Sequence, residues 1–426
     1  MPRTSLVTAC SICLAWMGTA MTACAQPIAV EVVPTERGYE LTRGGEPFFI
    51  KGVGGQQELD RFVAAGGNAI RTWDAEGIGP LLDEAHERGL AVAAGIWLAH
   101  ERHGFDATDP EQRSEQLERV RRLVLEHRDH PALLLWGVGN EVELEGDLDR
   151  ALAFVEEAAA LIKTLDPNHP TMCVIAEIGD DKARRVQDHC PSIDIVGINT
   201  YAGLRSIPSR LDAQGVTKPY IVTEFGPPGT WEVGKTAWGA PFEPSSAEKA
   251  VFYESSYRAG VLAERGKRCL GSFAFLWGNK QEVTGTWFGM FLDSGESTPA
   301  VDVMTELWSG EAPANRAPLV ERLQLRPSGL EHPPGTTMSA VVAVRDPDGD
   351  DLRFDWELRA ESDDYRMGGD REAVPDEIHT EFRGSGERRV AFDLPDAPGA
   401  YRVFVTVHDG KGGAGTANMP IRVLPE

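Results

Sequence analysis

Between Phe48 and Trp308 short apolar runs alternate eight times with longer amphipathic stretches, and this alternation constrains the fold more than any other feature. The apolar runs are Phe48–Val53, Ala69–Trp73, Ala91–Trp97, Ala132–Val138, Thr171–Ala176, Ile193–Asn199, Tyr220–Thr223 and Ser272–Leu276. Runs of large or β-branched apolar residues bounded by Gly and Pro are the signature of strands buried on both faces. The stretches that follow them carry helical spacing: Gln57–Ala65, Gly79–Arg88, Pro110–Glu126, Asp147–Leu165, Asp180–His189, Ser206–Ala213, Ser245–Arg265 and Ala300–Trp308. Pro110 and Asp147 stand where a helix start favours proline and an oxygen-bearing cap. Eight such units in roughly 260 residues predict an α/β fold, a (β/α)8 TIM barrel. An open doubly wound sheet is the rival, but the units are regular and contain no Gly-rich phosphate loop.

The rest of the 426 residues divides around this block. Residues 1–25 have the form of an export signal, with Arg3 ahead of an apolar run too short to span a bilayer. Ala23-Cys24-Ala25 suits a cleavage site, and Met21-Thr22-Ala23-Cys24 resembles a lipobox that would make Cys24 a lipid anchor. Either reading predicts an exported protein: periplasmic, held at the cell surface, or secreted. The barrel region then occupies 26–310, opened by a hairpin whose turn is Arg43-Gly-Gly-Glu-Pro47 and which is expected to plug the barrel bottom. Residues 311–318 form a Pro/Ala linker. From 319 to 426 only alternating strand patterns occur, such as Met338–Val344 and Tyr401–Val407, predicting a small all-β, Ig-like sandwich.

A net charge of -24 disfavours nucleic acid as a partner, because phosphate binding needs basic patches that this chain lacks. A neutral substrate fits the charge better. Cys173, Cys190 and Cys269 show no C-x-x-C spacing, so no zinc site is expected. Cys173 and Cys269 suit buried filler positions, and a Cys173–Cys190 disulfide stays open in an oxidising compartment. The acidic turn Asp346-Pro-Asp-Gly-Asp-Asp351 has calcium-type ligands but neither the loop length nor the distal Glu of an EF-hand, which favours a plain turn.

In a barrel of this kind chemistry gathers where strands end. Those ends carry Arg71-Thr72-Trp73-Asp74, Trp97 with His100, Asn140-Glu141, Asn199-Thr200-Tyr201, Glu224 and Trp277-Gly278-Asn279. A carboxyl group at the tip of a buried strand costs free energy unless it is paired or used. Two of them on one sheet are the minimum for cleaving a glycosidic bond. Glu141 is the candidate acid/base and Glu224 the candidate nucleophile. Asn140, Asn199 and His100 are candidate hydroxyl binders, while Arg71 and Tyr201 are candidates to hold Glu224 ionised. Trp277, Trp97, Trp73 and Trp287 offer flat faces to pyranose rings, with Trp277 the favoured one. Trp231 and Trp238 sit in a long Gly-rich loop able to wall a cleft. Against each stands a plainer reading: a solvated acidic loop at Glu141, where Glu143 and Glu145 compete, a structural ion pair at Arg71, rim filling by the aromatics, or a surface histidine at 100.

With these residues the barrel resembles the retaining glycoside hydrolases of clan A, through Asn140-Glu141 and Thr223-Glu-Phe-Gly226. Arg71, Tyr201 and Trp277 match the accessory Arg, Tyr and Trp of that pattern. The likeness runs from about Gly38 to Trp308 and is nearest to the catalytic barrel of family 2 glycosidases. Asn68-Ala-Ile-Arg-Thr-Trp-Asp74 is also similar to β-1,3-glucanosyltransferases. No stretch of this sequence is expected to form the N-terminal sandwich domains usual in family 2. Asp346-Pro-Asp-Gly-Asp350 and Val407-His-Asp-Gly-Lys-Gly412 give the tail a resemblance to PKD or cadherin-like sandwiches. The resemblance implies hydrolysis of O-glycosidic bonds in a neutral oligo- or polysaccharide by double displacement, without cofactor or metal. Transglycosylation by the same two glutamates, and glycan binding without turnover at a cell surface, are the alternatives.

Overall fold

The barrel strands are β1 (Ile50–Gly54), β2 (Ala69–Arg71), β3 (Ala91–Ile96), β4 (Leu133–Asn140), β5 (Thr171–Ala176), β6 (Ile195–Asn199), β7 (Tyr220–Phe225) and β8 (Cys269–Ala274). They are parallel and close on themselves in chain order, with β8 pairing β1. The computed structural model describes residues 27–366, 368–384 and 386–425, so the expected export signal and Cys24 lie outside the described residues. Helices α1 (Leu59–Ala64), α2 (Gly79–Glu87), α3 (Pro110–His127), α4 (Leu148–Leu165), α5 (Lys182–His189), α6 (Ile207–Ala213), α7 (Ser246–Gly260) and α8 (Pro299–Ser309) follow the strands one by one. None is long and apolar enough to cross a membrane among the described residues.

Local sequence explains the starts of the long helices. Asp109 accepts hydrogen bonds from the Glu111 and Gln112 amides, with Pro110 in the first turn, and Asp147 accepts from Arg150 N. Ser245 and Glu248 form a reciprocal capping box at α7. All eight residues of β4 are buried, as a strand covered on both faces requires. One face meets the helices through residues such as Leu133, Val138, Leu152 and Val155. The other fills the barrel with Leu135, Met172, Val174, Ile195 and Phe273.

The expected plug is a three-stranded antiparallel sheet of Val30–Thr35, Gly38–Arg43 and Glu46–Pro47. Val30 and Leu41 pack into the barrel interior beside Ile50, Ala69 and Leu134. Val30 N donates to Asn168 O at 2.8 Å and Arg43 Nη2 to Pro131 O at 2.8 Å. Asn168 and Pro131 stand at the starts of strands, so the sheet seals the end opposite the Asn140, Asn199 and Phe225 tips.

Residues 319–423 form two facing sheets. One holds Leu319–Arg326, Thr337–Arg345 and Arg389–Asp393; the other holds Glu331–His332, Ala414–Val423, Gly399–His408 and Arg353–Ala360. Alternate residues point inward to a core that includes Val342, Trp356, Phe392 and Val405. In the acidic turn Asp348 pairs with Arg316 and Asp350 with Lys411, while Asp346 Oδ1 accepts from the amides of 348 and 350. Each of these three carboxylates thus has a cation or amide of the protein as a partner, while Asp346 Oδ2 and Asp350 Oδ2 are buried without one among the described residues. Cys173, Cys190 and Cys269 are free and buried, so the open disulfide is not formed.

The sandwich is locked to the barrel by buried polar contacts. Arg402 donates to Pro241 O at 2.9 Å, pairs with Glu361 and donates to Asn418 Oδ1 at 2.7 Å. Asn418 in turn donates to Glu243, which also takes the Lys249 ammonium and the Thr284 and Thr286 hydroxyls. Removing one partner from such a buried network leaves a desolvated charge behind, at a cost of about 3–5 kcal/mol. The barrel side of this network comes from the loop after β7, from α7 and from the loop after β8.

Candidate active site

Glu224, near the tip of β7, is buried and accepts three hydrogen bonds. Arg71 Nη1, from the end of β2, reaches its Oε1 at 2.8 Å, and Trp73 Nε1 reaches the same oxygen at 2.9 Å. The Tyr201 hydroxyl, just past β6, reaches Oε2 at 2.9 Å. This donor set suits a carboxylate anion. Burial, and then the negative charge of Glu224, push the Tyr201 hydroxyl well above the usual phenol range, so it remains a donor. Arg71 is only 3% exposed and packs its guanidinium over the Trp73 ring, 5.3 Å from the ring centre.

Glu141 follows the end of β4. Gly139 (φ 75°) and Glu141 (φ 51°) both adopt the left-handed conformation, and this turn aims the carboxyl across the mouth. A non-glycine residue held there is strained, and such strain gathers at working sites. Asn199 Nδ2 donates to Glu141 Oε1 at 2.8 Å. Withdrawal from water is the largest cause, and the Glu224 charge the second, of a Glu141 pKa raised to about 7. Arg71 Nη2 also donates to Asn140 Oδ1 at 2.6 Å, and Asn199 Nδ2 lies 3.3 Å from that oxygen. A continuous polar chain, Glu224–Arg71–Asn140–Asn199–Glu141, therefore links the two acids across four strand ends. The neighbouring acids do not compete: Glu143 is buried against Ala176 N and Lys182 Nζ, and Glu145 is exposed.

Of the remaining sequence-predicted residues, Trp97 lies at the rim after β3, its ring stacked 4.6 Å from that of His100. His100 is buried, and burial followed by the Arg102 charge lowers it to about 4, so its ring is neutral at pH 7. Trp277 departs from expectation. Strand β8 ends at Ala274 rather than Leu276. The Trp277 ring is wholly buried between Phe62, Phe291 and Trp308, behind the barrel wall, where no sugar reaches it. Phe275 is the first residue past β8 and packs edge-on to Trp73 and Tyr201. Trp287 is buried too, with Nε1 donating to Pro228 O. Trp231, 60% exposed and 5.7 Å from the Tyr201 ring, is the open indole beside the site. Asp74 is held by Arg119 of α3 through both carboxylate oxygens, and Asn279 donates to the Gly285 and Phe291 carbonyls.

Comparison with known proteins gives a family match to part of the chain. Residues 68–236 match the family described as "Glycosyl hydrolases family 2, TIM barrel domain". The match is to a glycosidase barrel. It holds β2 through β7, with Arg71, Asn140, Glu141, Tyr201 and Glu224 inside it. Among solved structures, a β-glucuronidase of Ruminococcus gnavus is 17% identical, with a TM-score of 0.51, over 67% of this chain and 53% of that one. An FMN-binding β-glucuronidase of Facaelibacterium prausnitzii L2-6 is 17% identical, with a TM-score of 0.53, over 93% of this chain and 58% of that one. A β-D-glucuronidase of Dictyoglomus thermophilum is 19% identical, with a TM-score of 0.50, over 66% and 54%. At such identities the likeness is one of fold, and this chain spans about half the length of those proteins.

Proposed function

We propose that this chain is a β-glycosidase that hydrolyses O-glycosidic bonds of a neutral oligo- or polysaccharide with retention of configuration. The observation that carries the reading is the division of labour between two linked acids. Glu141 keeps its proton up to about neutral pH, while Glu224 is surrounded by a cation and two neutral donors. In the first step Glu224 attacks the anomeric carbon and Glu141 gives its proton to the departing glycosidic oxygen. The bond to the leaving sugar breaks and a glycosyl ester on Glu224 forms. In the second step water attacks the same carbon, passes a proton to Glu141 and frees Glu224.

Retention requires the two carboxyl groups to stand about 5–5.5 Å apart, against about 6.5–9.5 Å for inversion. The electrostatic influence of Glu224 on Glu141, and the polar chain through Arg71, Asn140 and Asn199, support both acids acting at one mouth, and the anomer released first decides between the two spacings. Neutral sugars are favoured because Arg71 is committed to Glu224 and Asn140, and Lys280, beside the mouth, to Glu282. Export, a lipid on Cys24 and a PKD-like role for the sandwich belong to this reading and rest on sequence patterns alone.

A screen of 4-nitrophenyl β-glycosides and β-linked oligosaccharides, followed by proton NMR of the first-formed product, tests the proposal. Release of the β-anomer first is expected. Release of the α-anomer first would discard the double displacement, and no turnover of any β-glycoside would discard the glycosidase reading. Chains longer than the starting oligosaccharide would show transfer to sugar in place of water.

A further inference from the structure

The sandwich reaches the mouth of the barrel. Between its strands Arg353–Ala360 and Arg389–Asp393 runs an irregular segment that leaves the sandwich core and touches two separate barrel loops. Asp370 Oδ2 lies 3.2 Å from His103 Nε2 and Asp370 Oδ1 3.6 Å from Arg102 Nη2, in the loop after β3. Glu372, itself buried, accepts from Val283 N at 2.5 Å and Arg366 N at 3.0 Å, which fixes the segment to the loop after β8. Gly368 and Gly369, just before Asp370, have positive φ. A Cβ at Gly368 would fall 2.6 Å from Arg102 Nη2, and one at Gly369 2.9 Å from Lys280 Nζ, so the backbone passes directly over both cations.

Closure of the barrel in chain order puts β1 and β2 between β8 and β3. The segment therefore spans the arc above the β1 and β2 tips. Only residues 55–58 join β1 to α1, so the barrel builds little there itself. Trp73 and Arg71 stand under this arc, and Val283 belongs to the same apolar cluster as Tyr201, Phe275 and Trp73. On the β3 side the Trp97, His100 and His103 rings stack in succession, at 4.6 Å and 5.4 Å, from the barrel rim up to Asp370.

Polar capacity is left over at this wall. The Arg102 side chain is 6% exposed, yet both of its terminal nitrogens lack a hydrogen-bond acceptor among the described residues. The His100 ring nitrogens are likewise buried without partners. Unpaired buried donors are costly, and a bound acceptor removes that cost. Arg102 has Asp370 nearby and Lys280 has Glu282, so the wall offers donors with its positive charge balanced. That chemistry suits sugar hydroxyls.

We propose that residues 361–366 and 368–376 of the sandwich form one wall of the substrate cleft, and that Arg102, positioned by Asp370, binds hydroxyls of a sugar unit beyond the one being cleaved. The inference rests on the glycosidase reading for its substrate but not for its test. In the full-length protein, Asp370→Ala and a replacement of 366–371 by a Gly-Ser linker are compared with the unaltered chain. Unchanged thermal midpoints and circular dichroism confirm folding. Kinetics are measured with a 4-nitrophenyl β-glycoside and with an oligosaccharide of the same sugar. Amide hydrogen exchange of 361–376 is followed with gluco-, xylo-, manno- and galacto-oligosaccharides at millimolar concentration.

Both changes are expected to raise the oligosaccharide KM about tenfold and that of the aryl glycoside no more than about twofold, with exchange slowed by the oligosaccharide that binds. Protection without turnover would keep the wall and discard the hydrolase reading. Turnover with equal effects on both substrates, or no protection by any oligosaccharide, would overturn the wall.

Discussion

Asn199 Nδ2 lies 2.8 Å from Glu141 Oε1, and Asn199 Oδ1 accepts from the hydroxyl of Thr223, one residue before Glu224. One amide at the tip of β6 thus fixes the orientation of one acid and braces the strand that carries the other. A donor on a carboxylate oxygen stabilises the ionised form and so opposes the burial that raises Glu141. Asn199→Ala should therefore shift the alkaline limb of kcat/KM to higher pH than in the unaltered protein, while lowering the maximum rate. A limb that stays in place would detach Asn199 from Glu141.

The limb itself follows from Glu141. A general acid must carry its proton, and a carboxyl group raised to about 7 loses it as pH climbs through that value. Activity on substrates with poor leaving groups is expected to fall above pH 7. In Glu141→Ala that limb should vanish for an activated aryl glycoside, which needs no acid help, and the loss of rate should be far larger for unactivated sugars. Equal losses on both substrates would argue against the acid role.

Stability should depend on pH through the same group. The folded pKa lies above the ordinary carboxyl value of 4.5, so the unfolded chain releases the proton first. Stability from this group is full below about pH 4.5 and declines as pH rises towards 7. Glu141→Gln cannot ionise, and it should gain about 1–3 kcal/mol over the unaltered protein at pH 8 but little at pH 4.5. Urea midpoints at the two pH values measure this.

Glu224→Gln keeps the size of the side chain and most of its partners but cannot form the ester. We expect kcat to drop on the order of 10⁴-fold with the fold unchanged by circular dichroism. Arg71→Ala is different, because it strands a buried carboxylate. Besides lost activity it should cost about 3–5 kcal/mol of stability, with Arg71→Lys recovering part of it.

The two tryptophans separate surface from core. Trp277→Ala empties a fully buried site and should cost about 3–5 kcal/mol. Trp231→Ala removes an exposed ring, leaving stability within about 0.5 kcal/mol while raising KM. A rise in KM from Trp277→Ala at normal stability would reverse this assignment.

Much of this was legible in the sequence because burial on both faces leaves a plain mark. All eight strands and eight helices appear where alternation of apolar runs and amphipathic stretches predicts them, with ends moved by a few residues. Glu141, Glu224, Arg71, Asn140, Asn199, Tyr201 and Trp73 converge because each closes or follows a strand. Trp277 misled because the last strand stops earlier than its apolar run does; Ser272–Leu276 continues into a turn that carries the indole back to the helices. The contribution of Asp370 and Glu372 was hidden for another reason. They lie in an irregular stretch more than 80 residues downstream of β8, and only the packing of one unit on the other brings them to the rim.

The small sheet that seals the far end of the barrel has a directional consequence. Its first strand starts at Val30, on the side remote from the two acids. Any tether attached upstream, such as a lipid at Cys24, would hold the molecule by its base. The opening would then face outward from the envelope, toward glycans arriving from the surroundings.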